Sequence, residues 1–341
     1  MIQTQNLAIG YKTSRKTQKI IAAHLNMSIA PGECIALLGK NGVGKSTLLK
    51  TLSGIIPPIE GNILIHQKDL QTLQALEKAQ ALSLVLTESI QLGYFKVVDL
   101  VSLGRYPYTG WLGKLQQEDK RWVDRALELS GMSDFREKNF IQLSDGEKQK
   151  VLIARALAQD TPLMILDEPS NHLDYPSRML VFELLQKLAR QTQKSILVAT
   201  HDLEMALHFC NRVWLMFQED DQTTRIEAGL PEELALKGSF EKLFKPSVFT
   251  GFLPLGNLSA TPTPYNGTYK ITGDAQGALW THKALEKATP DLNFIHTEIN
   301  IQVEHQGISN YRWILSHQEM ESNRHFHSLE ALIQFLKKFS A

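Results

Sequence analysis

The sequence predicts an α/β fold with a mostly parallel sheet, a helical insertion and a small α+β domain at the C-terminal end. Three observations carry this prediction. Short apolar runs, typical of buried strands, alternate with helical periodicity before Gly229. A glycine-rich loop joins one of those runs to a helix. A segment rich in proline, glycine, threonine and serine then precedes a tail in which regular periodicity returns.

The periodic segments give the order of the elements. A helix is expected from Arg178 to about Gln191, and residues 97–158 follow a helical pattern in which Gly131 supplies one stop. Strands are predicted at Cys34–Leu38, Asn62–Ile65, Ala81–Leu86, Leu163–Leu166 and Ser195–Ala199. Strands that alternate with helices in this way favour parallel pairing.

The tail has a pattern of its own. Strands are predicted at 269–271, 299–303 and 311–315, and Asp274 and Ser328 are placed to cap two helices. We therefore expect one domain over residues 1–229, with a helical subdomain at about 88–158. A linker or irregular segment over 230–268 would lead to a small α+β appendage over 269–341.

Composition limits the classes of function. The 341 residues carry 36 Lys+Arg and 36 Asp+Glu, so no broad charge draws the chain to nucleic acid, and no nucleic-acid partner is expected. Cys34 and Cys210 stand in apolar contexts that predict core residues rather than a disulfide or metal pair. Neither a signal peptide nor a membrane span is expected, which predicts a cytoplasmic protein.

The glycine-rich loop predicts nucleotide binding. Its backbone can wrap a phosphate, and the following helix adds positive potential at its N-terminus. Lys45 would reach the β- and γ-phosphates and stabilise the charge that develops there, and the Ser46 hydroxyl would ligate Mg²⁺. The predicted nucleotide-binding residues of the loop are Gly39, Asn41, Gly42, Gly44, Lys45, Ser46 and Thr47.

Two later strands end in polar side chains. Asp167 and Glu168 follow Leu163–Leu166, and we expect Asp167 to hold Mg²⁺ while Glu168 acts as the base for the attacking water. His201 follows Ser195–Ala199 and would reach the γ-phosphate, because α/β sites are built at the carboxyl ends of the strands.

The segment Leu143–Gln149 predicts a second anion-binding surface. A serine, a glycine and a helix N-terminus come together there. One ATP does not need two such surfaces from one chain, so a head-to-tail dimer would explain the pair.

These motifs, in this order, resemble the ATP-binding cassette (ABC) ATPases over Met1 to about Gly229. The resemblance implies a P-loop NTPase with a RecA-like core, N-terminal antiparallel strands and a helical subdomain, which binds ATP and Mg²⁺ as a homodimer. It also implies that Tyr11 stacks on adenine, that Ser144 and Gly146 contact the γ-phosphate across the dimer, and that Asp174 lies at the dimer seam.

A second resemblance narrows the subclass. The segments Val98–Tyr108 and Trp111–Gly113 resemble the helical subdomain of ATPases that serve importers of iron-siderophores, haem and cobalamin. This implies a permease, a substrate-binding protein and a location on the inner face of the cell membrane. Tyr106, Tyr108 and Trp111 would form a docking surface for the permease, the alternative being aromatic packing within the subdomain.

Three positions depart from the family pattern. Thr87 stands where a glutamine usually follows the strand, and it is a further candidate Mg²⁺ ligand through water. Asp145 and Glu147 replace a glycine and a glutamine of the signature. Acidic groups suit a helix N-terminus but would repel the γ-phosphate, so we expect both to point away from it.

Two alternatives to an importer subunit remain at this level. One is a soluble ABC ATPase without a permease, for example in iron–sulfur assembly, and the other is a weakly hydrolysing regulatory module. The tail contains His282, His296, His305, His317, His325 and His327. Their uneven spacing favours a packing or dimer-stabilising appendage over a metal or haem sensor.

Overall fold

The computed structural model describes residues 2–12, 18–86, 94–110, 113–219, 224–243, 269–288, 299–307, 310–317, 320 and 322–339. The chain divides into two compact units, Met1–Glu227 and Ala228–Ala341. Each unit has its own sheet and its own buried core.

The first unit contains eleven strands and seven α-helices among its described residues. The strands are β1 (Ile2–Lys12), β2 (Gln18–Leu25), β3 (Ser28–Ile29), β4 (Cys34–Gly39), β5 (Glu60–Ile65), β6 (Lys68–Asp69), β7 (Leu82–Val85), β8 (Leu163–Asp167), β9 (Ser195–Thr200), β10 (Arg212–Gln218) and β11 (Thr224–Gly229). The helices are α1 (Lys45–Leu52), α2 (Ala75–Ala81), α3 (Val97–Ser102), α4 (Gln117–Leu129), α5 (Asp145–Ala158), α6 (Tyr175–Thr192) and α7 (Leu203–Phe209).

The centre of the large sheet is parallel. Its strand order is β6-β5-β1-β2-β11-β10-β4-β9-β8-β7, with β3 attached to β1. The strands β10, β4, β9, β8 and β7 pair in parallel, and all six residues of β4 are buried, as expected for a strand covered on both faces. The strand β1 pairs antiparallel with β2 and β5. The predicted fold class is confirmed.

The helices α3, α4 and α5 pack on one another. A buried ion pair stabilises this packing: Nε of Arg105 lies 3.0 Å from Oδ1 of Asp119, and both side chains are nearly inaccessible to solvent. The Arg105 guanidinium also donates to the Ala158 carbonyl oxygen at 2.9 Å, at the end of α5. Arg105 lies three residues beyond the end of α3, so it connects the segment that follows α3 to both α4 and α5.

The second unit has an α+β fold. Its elements are α8 (Pro231–Leu236), β12 (Tyr269–Gly273), α9 (Ala275–Ala288), β13 (Ile299–His305), β14 (Tyr311–Ser316), β15 (Arg324–Phe326) and α10 (Leu329–Phe339). The strands form a sheet in the order β12-β13-β14-β15. The Trp313 indole donates to Thr281 Oγ1 on α9 at 2.7 Å, and the predicted caps Asp274 and Ser328 accept from the backbone amides of Gly277 and Ala331.

Several elements differ from the sequence prediction. The helix α2, absent from the prediction, buries none of its residues, so it leaves no apolar periodicity to recognise. The helix α6 begins at Tyr175 rather than at Arg178, because the Asp174 carboxylate caps it by accepting from the Ser177 amide at 2.9 Å. The three-residue strand β15, also unpredicted, is too short to show alternation.

The predicted irregular segment 230–268 is partly helical. The helix α8 lies inside it, with all six of its residues buried, and Glu232 forms an ion pair of 2.7 Å with Lys287 of α9. The prediction of irregular structure is therefore wrong for 231–236. A helix of six residues is too short for apolar residues to repeat at helical spacing. Residues 244–268 lie outside the described part of the chain. No helix among the described residues is both long and apolar enough to cross a membrane.

Candidate functional site

The glycine-rich loop connects the central strand β4 to α1. Gly42 and Gly44 have φ angles of 83° and 116°, which favour glycine. A Cβ atom on Gly44 would lie 2.5 Å from Cγ2 of Ile21, so a larger residue would force the Ile21 side chain to shift. The helix α1 begins at Lys45. The free backbone amides of its first turn therefore point at the space in front of the loop.

Lys45 is held under the loop. Its ammonium group donates to the Gly39 carbonyl oxygen at 2.6 Å and lies 3.8 Å from Oε1 of Glu168. Burial lowers the pKa of Lys45, while the charges of Glu168 and Asp167 oppose that shift. The arrangement keeps a cation at the floor of the site.

Asp167 ends β8 beside the loop. Burial raises the pKa of its carboxyl group, the neighbouring charge of Glu168 raises it further, and a hydrogen bond from Ser46 lowers it. A hydroxyl and a carboxylate oxygen therefore meet at this point. Hard oxygen donors of this kind suit Mg²⁺, which takes only one or two protein ligands when phosphates supply others. The residues present fit a magnesium ion.

Glu168 lies in the turn that follows β8. Its φ angle of 47° is unusual for a residue with a side chain, and its amide donates to the Ala199 carbonyl oxygen of β9 at 2.9 Å. Its Oε2 atom lies 2.8 Å from Nδ1 of His201. The backbone is thus held in a strained form that keeps this carboxylate between Lys45 and His201.

These side chains face a cavity of about 420 Å³. Tyr11 lies on its wall, and its hydroxyl hydrogen-bonds to Thr47 Oγ1 at 2.8 Å. The lining consists of Tyr11, Ile21, Lys40, Asn41, Gly42, Gly44, Lys45, Ser46, Thr47, Asp167, Glu168 and Asn171. Most of the predicted loop residues, both carboxylates and Tyr11 therefore come together. Gly39 contributes its carbonyl group to Lys45 instead, and His201 reaches the site through Glu168.

Sequence reasoning missed three lining residues, Ile21, Lys40 and Asn171. Lys40 stands inside the loop motif itself, and Asn171 follows Glu168 within the same turn, so closer attention to neighbours would have found both. No sequence pattern places Ile21 at the site, because β2 is separated from the loop in sequence.

The remaining predicted site residues do not line this cavity. Ser144 caps α5, Gly146 lies in its first turn, and Asp174 caps α6. A Cβ atom on Gly146 would lie 3.1 Å from Oγ of Ser177, so the glycine lets the first turns of the two helices approach closely. Thr87 and Trp111 lie outside the described residues.

The two unusual acidic groups of the signature are paired locally. The Glu147 carboxylate accepts from the amide of Ser144 at 2.7 Å and from its hydroxyl at 2.9 Å. The Asp145 carboxylate lies 3.0 Å from Nζ of Lys148, and its side chain is 72% exposed. Neither acid is left without a partner at the start of α5.

Family comparisons agree with this geometry. Residues 22–171 match the model of the ABC transporter family, and residues 266–337 match the iron ABC transporter C-terminal domain. An uncharacterized ABC transporter ATP-binding protein of Methanocaldococcus jannaschii is 32% identical over 82% of this chain and 93% of its own length. The petrobactin import ATP-binding protein of Bacillus anthracis is 34% identical over 68% and 82%, and the iron(3+)-hydroxamate import ATP-binding protein of Bacillus subtilis is 36% identical over 61% and 76%.

The chain belongs to the ATP-binding proteins of ABC transporters. Among solved structures, a dimeric ATP-binding cassette in a post-hydrolysis state, bound to ADP and Pi, is 25% identical, with a TM-score of 0.55 over 68% of this chain and 99% of the cassette. The protein is therefore an ATPase that binds ATP, and the predicted family is confirmed.

Proposed function

We propose that the chain is the ATP-hydrolysing subunit of an ABC importer that takes up an iron-siderophore, haem or cobalamin through a membrane permease. The observation that carries the hydrolytic part is the placement of Lys45 and His201 on either side of the Glu168 carboxylate at the cavity. The importer part rests on relatives named for petrobactin and iron(3+)-hydroxamate import.

Iron complexes are the favoured cargo. The tail matches a domain named for iron ABC transporters, and two of the similar relatives are named for the import of petrobactin and of iron(3+)-hydroxamate. A cobalamin import ATP-binding protein of Halobacterium salinarum is 32% identical over 70% of this chain, so cobalamin remains the second candidate. The choice of cargo belongs to the permease and its binding protein.

In the proposed nucleotide site, the phosphates lie against the loop amides and Lys45, and the Tyr11 ring stacks on adenine. Asn41, Gly42, Gly44, Ser46 and Thr47 would complete the nucleotide-binding residues, and Gly39 would support them by accepting from Lys45. Ser46 and Asp167, with Thr87 as a further candidate, would hold Mg²⁺, which would supply positive charge to the phosphates. Glu168 would accept the proton of the attacking water, and His201 would orient the γ-phosphate.

The working form in this proposal is a homodimer. Ser144 and Gly146 would contact the γ-phosphate of the partner's ATP, with Asp174 at the seam, which accounts for the position of all three outside the cavity. Dimeric structures of a related cassette support this arrangement. ATP would close the dimer and hydrolysis would reopen it.

The permease would dock on the helical subdomain. Tyr106 is 76% exposed and Tyr108 is 36% exposed. Exposed aromatic side chains are typical anchors of interfaces. Docking there would place the chain on the inner face of the cell membrane, with a substrate-binding protein on the opposite side.

The domain division belongs to the same proposal. Residues 1–229 would form the ATPase domain, with the helical subdomain at about 88–158, and residues 269–341 would form an appendage that packs on or stabilises the dimer. No group of three or more histidine, cysteine or acidic side chains suited to a metal occurs among the described residues.

The proposal is tested by a detergent pull-down of the tagged chain from its native membranes, with partners identified by mass spectrometry. A multi-span permease should be recovered, and a variant with Tyr106→Ala and Tyr108→Ala should lose it while keeping ATP binding. The recovered complex, reconstituted in vesicles, should then take up a labelled siderophore with ATP inside. Recovery of soluble partners alone would favour a cytoplasmic ABC ATPase and overturn the importer.

A further inference from the structure

We propose that Arg178 and Asp202 form a positioning pair that fixes His201 against Glu168 and couples it to the start of α6. This inference rests on the proposed function, because it takes His201 to act at the γ-phosphate. Neither Arg178 nor Asp202 lines the cavity, so both would act through His201.

The pair fixes the backbone that carries His201. Nη1 of Arg178 lies 2.9 Å from Oδ2 of Asp202, which follows His201 directly. The other oxygen of Asp202 caps α7 by accepting from the Met205 amide at 3.2 Å, and the Asp202 amide donates to Thr200 Oγ1 at 3.1 Å. The His201 side chain itself is 59% exposed, so little else restrains it apart from Glu168.

Further contacts make α6 and α7 one rigid pair. The Tyr175 hydroxyl donates to Oε1 of Glu204 at 2.7 Å, next to the ion pair. Farther along, Phe182 and Phe209 have ring centroids 6.4 Å apart, and Nε2 of Gln186 donates to the Phe209 carbonyl oxygen at 2.8 Å. A shift of α6 must therefore move α7 with it.

The start of α6 connects this coupling to the proposed dimer seam. Asp174 caps α6, only one turn from Arg178, and it is the residue proposed for the dimer seam. Dimer closure at Asp174 would then be relayed through Arg178 and Asp202 to His201. Contact with the partner subunit at Asp174 would thereby set the position of His201 for hydrolysis.

Stability alone does not explain the arginine. Its side chain is 33% exposed and that of Asp202 is 10% exposed, and a partly exposed ion pair of this kind contributes only modestly to folding. Its Nε atom is buried and has no hydrogen-bond partner among the described residues, which costs stability. The role of Arg178 is therefore better explained by the orientation that it imposes on His201 than by a contribution to stability.

The test compares Arg178→Ala, Arg178→Lys and Gln186→Ala in the full-length chain by steady-state ATP hydrolysis. Gln186→Ala is the matched control, because it removes another α6–α7 hydrogen bond far from His201. We expect Arg178→Ala to lower kcat by up to about 100-fold, the loss that a misplacement of about 1 Å can cause. KM for ATP should stay nearly unchanged, Arg178→Lys should recover part of kcat, and Gln186→Ala should keep it.

A double-mutant cycle with His201→Ala separates positioning from a general structural role. Under single-turnover conditions, Arg178→Ala should have little further effect once His201 is absent, because both changes remove the same interaction. If Arg178→Ala does not fold, Asp202→Asn replaces it, since asparagine caps α7 equally well and removes the charge that Arg178 binds.

Additive effects, or a Gln186→Ala loss of kcat equal to that of Arg178→Ala, would overturn the positioning pair. A His201→Ala variant that turns over at the parent rate would instead overturn the proposed role of His201. The two failures are therefore distinguishable.

Discussion

Nδ1 of His201 lies 2.8 Å from Oε2 of Glu168, at the ends of the neighbouring strands β9 and β8. The other oxygen of Glu168 lies 3.8 Å from the Lys45 ammonium group. One carboxylate thus stands between a cation and an imidazole. The parallel pairing of β4, β9 and β8 produces this contact, because it brings the carboxyl ends of three strands to one edge of the sheet.

Replacement of Glu168 by glutamine should trap an ATP-bound dimer. The amide keeps the size of the side chain but cannot take the proton of the attacking water. We expect turnover to fall roughly 10²- to 10⁴-fold, the usual contribution of a general base. Phosphate release and gel filtration with ATP would measure both effects. Glu183→Gln, exposed on α6, is the matched control, and Glu168→Gln turnover at the parent rate would show that the base is another group.

Replacement of Asp145 by glycine should leave hydrolysis almost unchanged. Its carboxylate pairs with Lys148 and faces solvent, so it exerts little repulsion on a phosphate. We expect a loss of stability of up to about 1 kcal/mol, from a more flexible backbone and a weaker interaction with the helix dipole. Urea unfolding and steady-state kinetics would check this. A large gain in turnover would show that Asp145 does face the γ-phosphate.

Glu147 should compete with the partner's nucleotide for Ser144. The amide and hydroxyl of Ser144 both donate to the Glu147 carboxylate, so the hydroxyl must be released before it can bind a phosphate. Hydrogen bonds to a neutral amide are weaker than those to a carboxylate. Glu147→Gln should therefore lower the ATP concentration needed for dimerisation, measured by light scattering in the Glu168→Gln background. An unchanged or higher requirement would contradict the competition.

The same contact should make the start of α5 sensitive to acid. Hydrogen bonds from the Ser144 amide and hydroxyl lower the pKa of Glu147. A lowered carboxyl pKa contributes stability that is present at neutral pH and is lost as the pH falls through the folded-state value. The difference in urea midpoint between the parent and Glu147→Gln should therefore shrink on acidification. A constant difference would mean that the carboxylate makes no such contribution.

Arg105, the buried arginine of the helical subdomain, should contribute far more to the free energy of unfolding than the exposed Arg136. Arg105→Ala leaves Asp119 buried without its partner, which typically costs about 3–5 kcal/mol. Arg136→Ala breaks an exposed pair with Asp124 and should cost at most about 1 kcal/mol. Denaturant unfolding of both variants would show the contrast, and equal losses would contradict it.

Much of the site was predictable because its parts are contiguous in sequence. The loop from Gly39 to Thr47 and the pair Asp167 and Glu168 each occupy a strand end, where local pattern and position coincide. Parallel strands then bring those ends together, so their proximity follows from the fold class.

Other features depend on tertiary packing that no local pattern records. The contact between Arg178 and Asp202 joins the first turn of α6 to the residue that caps α7, and no sequence pattern in either segment predicts it. The place of Ile21 beside Gly44 likewise depends on how β2 crosses the loop. The helix α2 escaped prediction for the opposite reason, since it buries none of its residues.

The position of β4 has a consequence for biosynthesis. Leu37, just before the glycine-rich loop, pairs with Ala199 on one side and Trp214 on the other, and both partners are translated long after it. The emerging chain must carry an unpaired apolar strand through most of its synthesis, a situation that invites aggregation and engagement by chaperones. Truncated products that end before β9 would contain the whole loop and still lack the support that gives it its shape.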